Sequence, residues 1–107
     1  MLPISQRAWA LMLAAVCAWW VMLAFGRTSR MAEIIGVDET EIRALGARDL
    51  VNAVALALPG DARPAIAARA AFDLSDAARH GRGNPRVLAL TAGFAAFGAL
   101  GLLARRR

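Results

Sequence analysis

The chain contains no lysine and no tyrosine, and it has one cysteine and one histidine among its 107 residues. A single cysteine excludes an internal disulfide and a cysteine-rich metal site. One histidine and one cysteine far apart in sequence do not form a recognisable catalytic pair, and we find no Ser–His–Asp spacing or glycine-rich phosphate loop. We therefore predict that the protein is not an enzyme and has no catalytic residue, metal site or cofactor.

Because lysine is missing, all 13 basic residues are arginine, and with 8 acidic residues the formal net charge is +5. The arginines are scattered, and no basic helix face alternates with stacking aromatic residues, so we predict no nucleic-acid partner. Hydrophobic residues make up 59% of the chain, whereas soluble domains have roughly 45–50%. This composition predicts a membrane protein, with the arginines at segment ends facing lipid head groups.

The first uncharged run covers residues 8–25 and is long enough to cross a bilayer. Ser5 can cap its start, which predicts a helix over 5–25. A cleavable signal peptide is the alternative, with Arg7 in its charged region, but the apolar stretch exceeds the usual 7–15 residues and favours a retained anchor. Cys17 lies inside the run after a valine, which does not fit a lipoprotein processing site. We predict an inert packing role for it.

The second uncharged run covers residues 87–104. Asn84 can cap it with Pro85 at the first helical position, which predicts a helix over 85–104. The run ends at Arg105–Arg107, which is typical of a stop-transfer signal.

Small residues recur on this last helix at spacings that allow another helix to approach closely. Ala89, Gly93 and Ala96 are the predicted helix-packing positions. The high content of alanine and glycine in the chain is an alternative explanation for the pattern.

The middle of the chain predicts two further helices. Asp38 can cap the first, with a glutamate three positions later, and a Pro-Gly turn at 59–60 separates helices over 39–58 and 63–79. Residues 28–36 predict only a short interfacial helical turn. The predicted fold is therefore all-α, a four-helix integral membrane bundle in a single domain over 1–107.

Each central helix is apolar over most of its circumference and carries one narrow polar stripe, whereas a soluble amphipathic helix has a broad polar face. This pattern favours a hairpin surrounded by lipid, with a buried ion-pair seam between the second and third helices. Arg48 is expected to pair with Asp73, and Arg69 with Asp73 or Asp76. The predicted seam consists of Arg48, Asp49, Asn52, Arg69, Asp73 and Asp76.

The length of the third helix leaves an alternative open. It offers only about 16 residues, fewer than a typical span of about 20, so the hairpin could instead lie outside the bilayer between two anchoring helices. His80 follows it beside Gly81 in an arginine-rich loop, where we expect a solvated side chain.

The central motifs resemble small bacterial four-helix integral membrane proteins that belong to families of unknown function. The resemblance covers about residues 36–104 and rests on a G-x-R-[DE] motif followed by an arginine and D-x-x-D. The matching positions are Gly46, Arg48, Asp49, Arg69, Asp73 and Asp76. The resemblance implies the four-helix architecture and no particular activity.

The hypothesis we favour is a structural or accessory protein, multi-pass in the cytoplasmic (inner) membrane of a bacterium. Its partners would be the lipid bilayer and, through the fourth helix, a second copy or another membrane protein. The alternative is a small transport or proton-relay module, in which Asp73, Asp76 and His80 carry the proton.

Overall fold

The computed structural model describes residues 2–105, and these form an all-helical fold with a short pair of parallel strands. The predicted helical class is confirmed, with five helices in the described part in place of four. The extra helix lies where an interfacial turn was predicted. The elements are β1 (Leu2–Ser5), α1 (Gln6–Gly26), α2 (Thr28–Ile35), α3 (Glu39–Ala57), α4 (Arg63–His80), α5 (Pro85–Gly101) and β2 (Ala104–Arg105).

Side-chain caps start three of the long helices where the sequence predicts them. The Ser5 hydroxyl accepts from the Ala8 amide at 3.2 Å, and Asp38 Oδ1 accepts from the Glu41 amide at 2.8 Å. Asn84 caps α5 with Pro85 at its first position. Each cap satisfies an amide that has no partner within its own helix.

The predicted end of the last helix is wrong by three residues, since α5 stops at Gly101. The amides of Leu102 and Leu103 donate to carbonyls three residues back, which tightens the last turn. The Gln6 side chain then donates to the Gly101 and Leu102 carbonyls at 3.3 and 3.2 Å, and β2 pairs with β1. Arg106 and Arg107 of the predicted stop-transfer cluster lie outside the described residues.

The helices pack as two close pairs, α1 along α3 and α4 along α5, whereas the backbones of α3 and α4 approach each other at few positions. Gly46 allows the first close contact, because a Cβ there would lie 2.9 Å from the Ala24 Cβ. Gly98 packs against Ala70 in the second pair. Side chains that meet between α3 and α4 must therefore be long.

The chain runs up and down, so the turns lie at opposite ends of the bundle. Arg7 donates to the Leu56 and Gly60 carbonyls, which places the α3–α4 turn beside the start of α1. Asn84 donates to the Ile34 carbonyl at 2.9 Å, which places α2 beside the α4–α5 turn. At the first end Trp9 stacks on Phe97 with ring centroids 4.6 Å apart.

Much of the exterior is apolar. Met22 and Val51 are each 71% exposed, and Leu74 is 61% exposed. Of the described helices, Gln6–Gly26 is long and apolar enough to cross a membrane by length and composition, and Pro85–Gly101 is apolar but shorter.

The structure places the predicted helix-packing residues of α5 on the outside. Ala89, Gly93 and Ala96 are exposed, and a Cβ on Gly93 would meet no described atom within 4 Å. The face of α5 that packs within the chain carries Val87, Ala95, Gly98 and Gly101. Contact between the predicted residues and another molecule stays a prediction.

Candidate functional site

The predicted polar residues of α3 and α4 meet in one network of alternating charge. Asp49 lies at its centre and is 2% exposed. Its Oδ1 accepts from Arg48 Nε at 2.9 Å and from Arg69 Nη1 at 3.0 Å. One buried carboxylate therefore links an arginine of its own helix to an arginine of the next.

Each arginine also holds a second carboxylate from α4. Arg48 Nη1 and Nη2 donate to the two oxygens of Asp76 at 3.0 and 2.8 Å. Arg69 Nη2 and Nε donate to the two oxygens of Asp73 at 2.9 and 3.2 Å. These paired contacts have the fork geometry that makes arginine–carboxylate bonds strong and directional.

The Phe72 ring lies beside both guanidinium groups. Its centroid is 4.5 Å from Arg48 Cζ and 5.7 Å from Arg69 Cζ. At these distances the ring face attracts cations. Phe72 thus adds an apolar contact that fixes the arginines without taking any of their hydrogen bonds.

The predicted pairing of Arg69 with Asp73 is present, and the predicted pairing of Arg48 with Asp73 is wrong. Both oxygens of Asp73 are taken by Arg69, four residues earlier on the same helix. Arg48 therefore reaches one helical turn further and binds Asp76. The predicted pair assumed partners at the same height along the two helices, whereas a long arginine side chain can reach a partner about one turn away, roughly 5.4 Å along the axis.

Asn52 has a role that the sequence did not predict. It was predicted only as a member of the ion-pair seam, and its Nδ2 donates to the Ala65 carbonyl at 3.2 Å. Its Oδ1 lies 3.9 Å from Cys17 Sγ. Asn52 therefore bridges α3 to a backbone carbonyl of α4 and to α1.

Cys17 packs in the core with Trp9 and Leu13, as predicted, and it also belongs to the network, which was not predicted. Its sulfur accepts from Arg69 Nη1 at 3.1 Å and is 3% exposed as a residue. Trp9, Leu13 and Cys17 are spaced four apart and lie on the buried face of α1. This spacing could have indicated that Cys17 faces the interior of the bundle. Almost every residue of the run is apolar, so the sequence does not distinguish the buried face of α1 from the exposed one.

The expectation of a solvated His80 is also wrong. Its side chain is 7% exposed, and its Nε2 lies 3.6 Å from Glu41 Oε1. Among the described atoms, that nitrogen has no hydrogen-bond partner. The helix continues through His80, so its ring turns inward rather than into the following loop.

A groove of about 380 Å³ opens beside the network. Its walls come from α1, α2 and α5 and are largely apolar, while Asp49, Arg69, Asp73, Asp76 and His80 form its polar floor. Within residues 2–105, no group of three His, Cys, Asp or Glu side chains is arranged to hold a metal ion. The site therefore offers charge and hydrogen-bond acceptors inside an apolar cleft.

Comparison of the chain with protein-family models, curated proteins and solved structures finds no match. The resemblance to small bacterial four-helix membrane proteins stays a prediction.

Proposed function

We propose that the chain is a small multi-pass protein of the cytoplasmic membrane, in which α1, α3, α4 and α5 cross the bilayer. The observation that carries the proposal is the arrangement of α3 and α4. Their charges are paired inside the bundle, while Val51, Val54 and Leu74 face outward. Lipid accommodates such a surface, and charged residues in membrane helices face the bundle interior in pairs.

The helix lengths support this placement. α3 has 19 residues and α4 has 18, which gives about 28 and 27 Å at 1.5 Å per residue, close to the hydrocarbon thickness of about 30 Å. The exposed ion pairs of the two helices, Arg43–Glu39 and Arg79–Glu41, lie at the end that carries α2. That end would sit among the lipid head groups.

The role we propose is structural or accessory. The network sets how α3 and α4 align, because each arginine finds its second carboxylate on the other helix, Arg48 with Asp76 and Arg69 with Asp49. Buried ionic groups can specify an arrangement in this way without adding much net stability. The exposed small residues Ala89, Gly93 and Ala96 would then pack against a helix of a second copy or of another membrane protein.

A proton relay is the second candidate, since Asp73, Asp76 and His80 line one groove. A relay needs polar groups along the whole path across the membrane. Here the stacked Trp9 and Phe97 rings close the other end between α1 and α5. The geometry therefore favours the structural role.

Cysteine labelling in intact vesicles tests the four-span topology. We would use a Cys17→Ser background, because a hydroxyl preserves the contacts to Arg69 and Asn52. Asp61→Cys and Arg82→Cys should react with a membrane-impermeant maleimide from opposite sides. Val51→Cys and Leu74→Cys should stay unlabelled until detergent is added, because their side chains face lipid.

The extramembrane hairpin makes the opposite prediction. It places Asp61 and Arg82 on the same side and leaves position 51 open to the impermeant reagent. Either observation would contradict the four-span topology.

A further inference from the structure

The groove beside the network has one apolar part and one charged part. Trp19, Trp20 and Leu23 of α1 face Leu90 and Phe94 of α5 across it. Its volume of about 380 Å³ lies in the range of small-molecule sites, roughly 300–1,000 Å³. The groove therefore has room for an organic molecule of moderate size.

The floor of the groove carries an excess of negative charge. Three carboxylates line it, from Asp49, Asp73 and Asp76, together with one guanidinium from Arg69. Arg48 binds Asp49 and Asp76 but does not line the groove itself. The formal charge of the whole network is −1, so a cation is the complementary ligand.

The arginines offer little to an anion. Arg69 Nη1 donates to Asp49 and Cys17, and its Nε and Nη2 donate to Asp73. An anion would have to displace these bonds and would lie beside three carboxylates. Charge and hydrogen bonding both disfavour it.

His80 supplies an independent sign of a ligand in the groove. Its side chain is more than nine-tenths buried and lines the floor, yet its Nε2 makes no hydrogen bond to the described residues. A buried nitrogen without a partner costs free energy, and most buried polar groups are paired. Glu41 Oε1 lies 3.6 Å from this nitrogen. When the ring proton is on Nδ1, Nε2 is a hydrogen-bond acceptor, and a cation beside it would also lie near the Glu41 carboxylate.

We infer that the groove binds an organic ammonium ion with an apolar body. Its N–H groups donate to the carboxylates of Asp73 and Asp76 and to His80 Nε2, while the body packs between Trp20 and Phe94. Aromatic faces also attract cations, which adds to the fit. This inference goes beyond the proposed structural role and does not depend on the membrane topology, since the fold alone shapes the groove.

Binding of four matched probes tests the inference on the unmodified protein. We would titrate protein in lipid nanodiscs, subtracting empty nanodiscs, and measure Kd by calorimetry. The probes are 4-phenylbutylammonium, its N-trimethyl derivative, 4-phenylbutanol and 4-phenylbutyrate. The ammonium ion should bind at least about tenfold more tightly than each of the others, since one charged hydrogen bond is worth about that factor or more.

Variants locate the site. Asp76→Asn and His80→Phe should each weaken binding of the ammonium ion by about tenfold to one-hundredfold. His80→Phe should leave binding of the trimethyl probe unchanged, because that probe donates no hydrogen bond. Asp61→Asn removes a carboxylate in the α3–α4 turn, outside the groove, and should leave every Kd unchanged.

Three results would overturn the inference. The first is equal binding of the ammonium ion and the alcohol or carboxylate. The second is an equal Kd for the ammonium ion and its trimethyl derivative, which would show that the N–H donors of the ligand do not contribute to binding. The third is that Asp76→Asn and Asp61→Asn behave alike. The labelling experiment on topology can fail while these binding results hold, so the two proposals are separately testable.

Discussion

Asp49→Ala should lower the free energy of unfolding by about 1.5–3 kcal/mol, because Arg48 Nε and Arg69 Nη1 each lose a hydrogen bond to a buried carboxylate. Among residues 2–105, Asp49 is the carboxylate that binds both Arg48 and Arg69. Without it, Arg69 keeps Asp73 and Arg48 keeps Asp76, but the link between these two pairs is lost. Reversible unfolding in mixed detergent micelles, followed by circular dichroism, measures the change.

Glu39→Ala is the matched control, since it removes another carboxylate from α3. Glu39 pairs with Arg43, and their side chains are 49% and 55% exposed. An exposed pair of this kind contributes roughly 0–1 kcal/mol. If Asp49→Ala cost no more than Glu39→Ala, the network would not stabilise the bundle.

Gly46→Leu should disrupt the packing of α1 on α3. The Cβ alone would lie 2.9 Å from the Ala24 Cβ and 3.0 Å from the Phe25 ring, so a leucine has no room without separation of the helices. Overpacking of a close contact costs about 1–3 kcal/mol and sometimes more. We expect the variant at the upper end of this range, measured by the same unfolding assay.

Gly93→Leu is the control on α5, where the added side chain meets open space. It should leave the monomer unchanged or stabilise it by up to about 1 kcal/mol, because leucine is the better helix former. A loss of stability at Gly93 as large as that at Gly46 would contradict the described packing of α1 on α3.

The parts of the fold that depend on local chemistry could be predicted from the sequence. Ser5, Asp38 and Asn84 each bond to an amide three residues later, so a few neighbouring residues decide where these helices begin. The shared face of Arg69 and Asp73 likewise follows from helical spacing. Such contacts need no knowledge of what packs against the helix.

The contacts between helices could not be predicted in the same way. Arg48 binds Asp76 because Arg69 already occupies Asp73, a competition that spacing along one helix does not reveal. Cys17 joins the network only because α1 packs beside α3 and α4. The burial of His80 depends on α4 continuing through it and on the packing of α3, whose Glu41 Oε1 lies 3.6 Å from His80 Nε2.

The central claim is that the charged network fixes the register of α3 against α4, and a double-mutant cycle between Arg48 and Asp76 tests it most directly. The single variants Arg48→Ala and Asp76→Ala and their combination should give a coupling energy of about 0.5–3 kcal/mol, as expected for residues in one network. The cycle between Arg43 and Asp76 is the control and should be additive. Two results together would contradict the register. The effects of Arg48→Ala and Asp76→Ala would be additive, and Arg48 would instead couple to Asp73 with the same energy whether or not Asp76 is replaced by alanine.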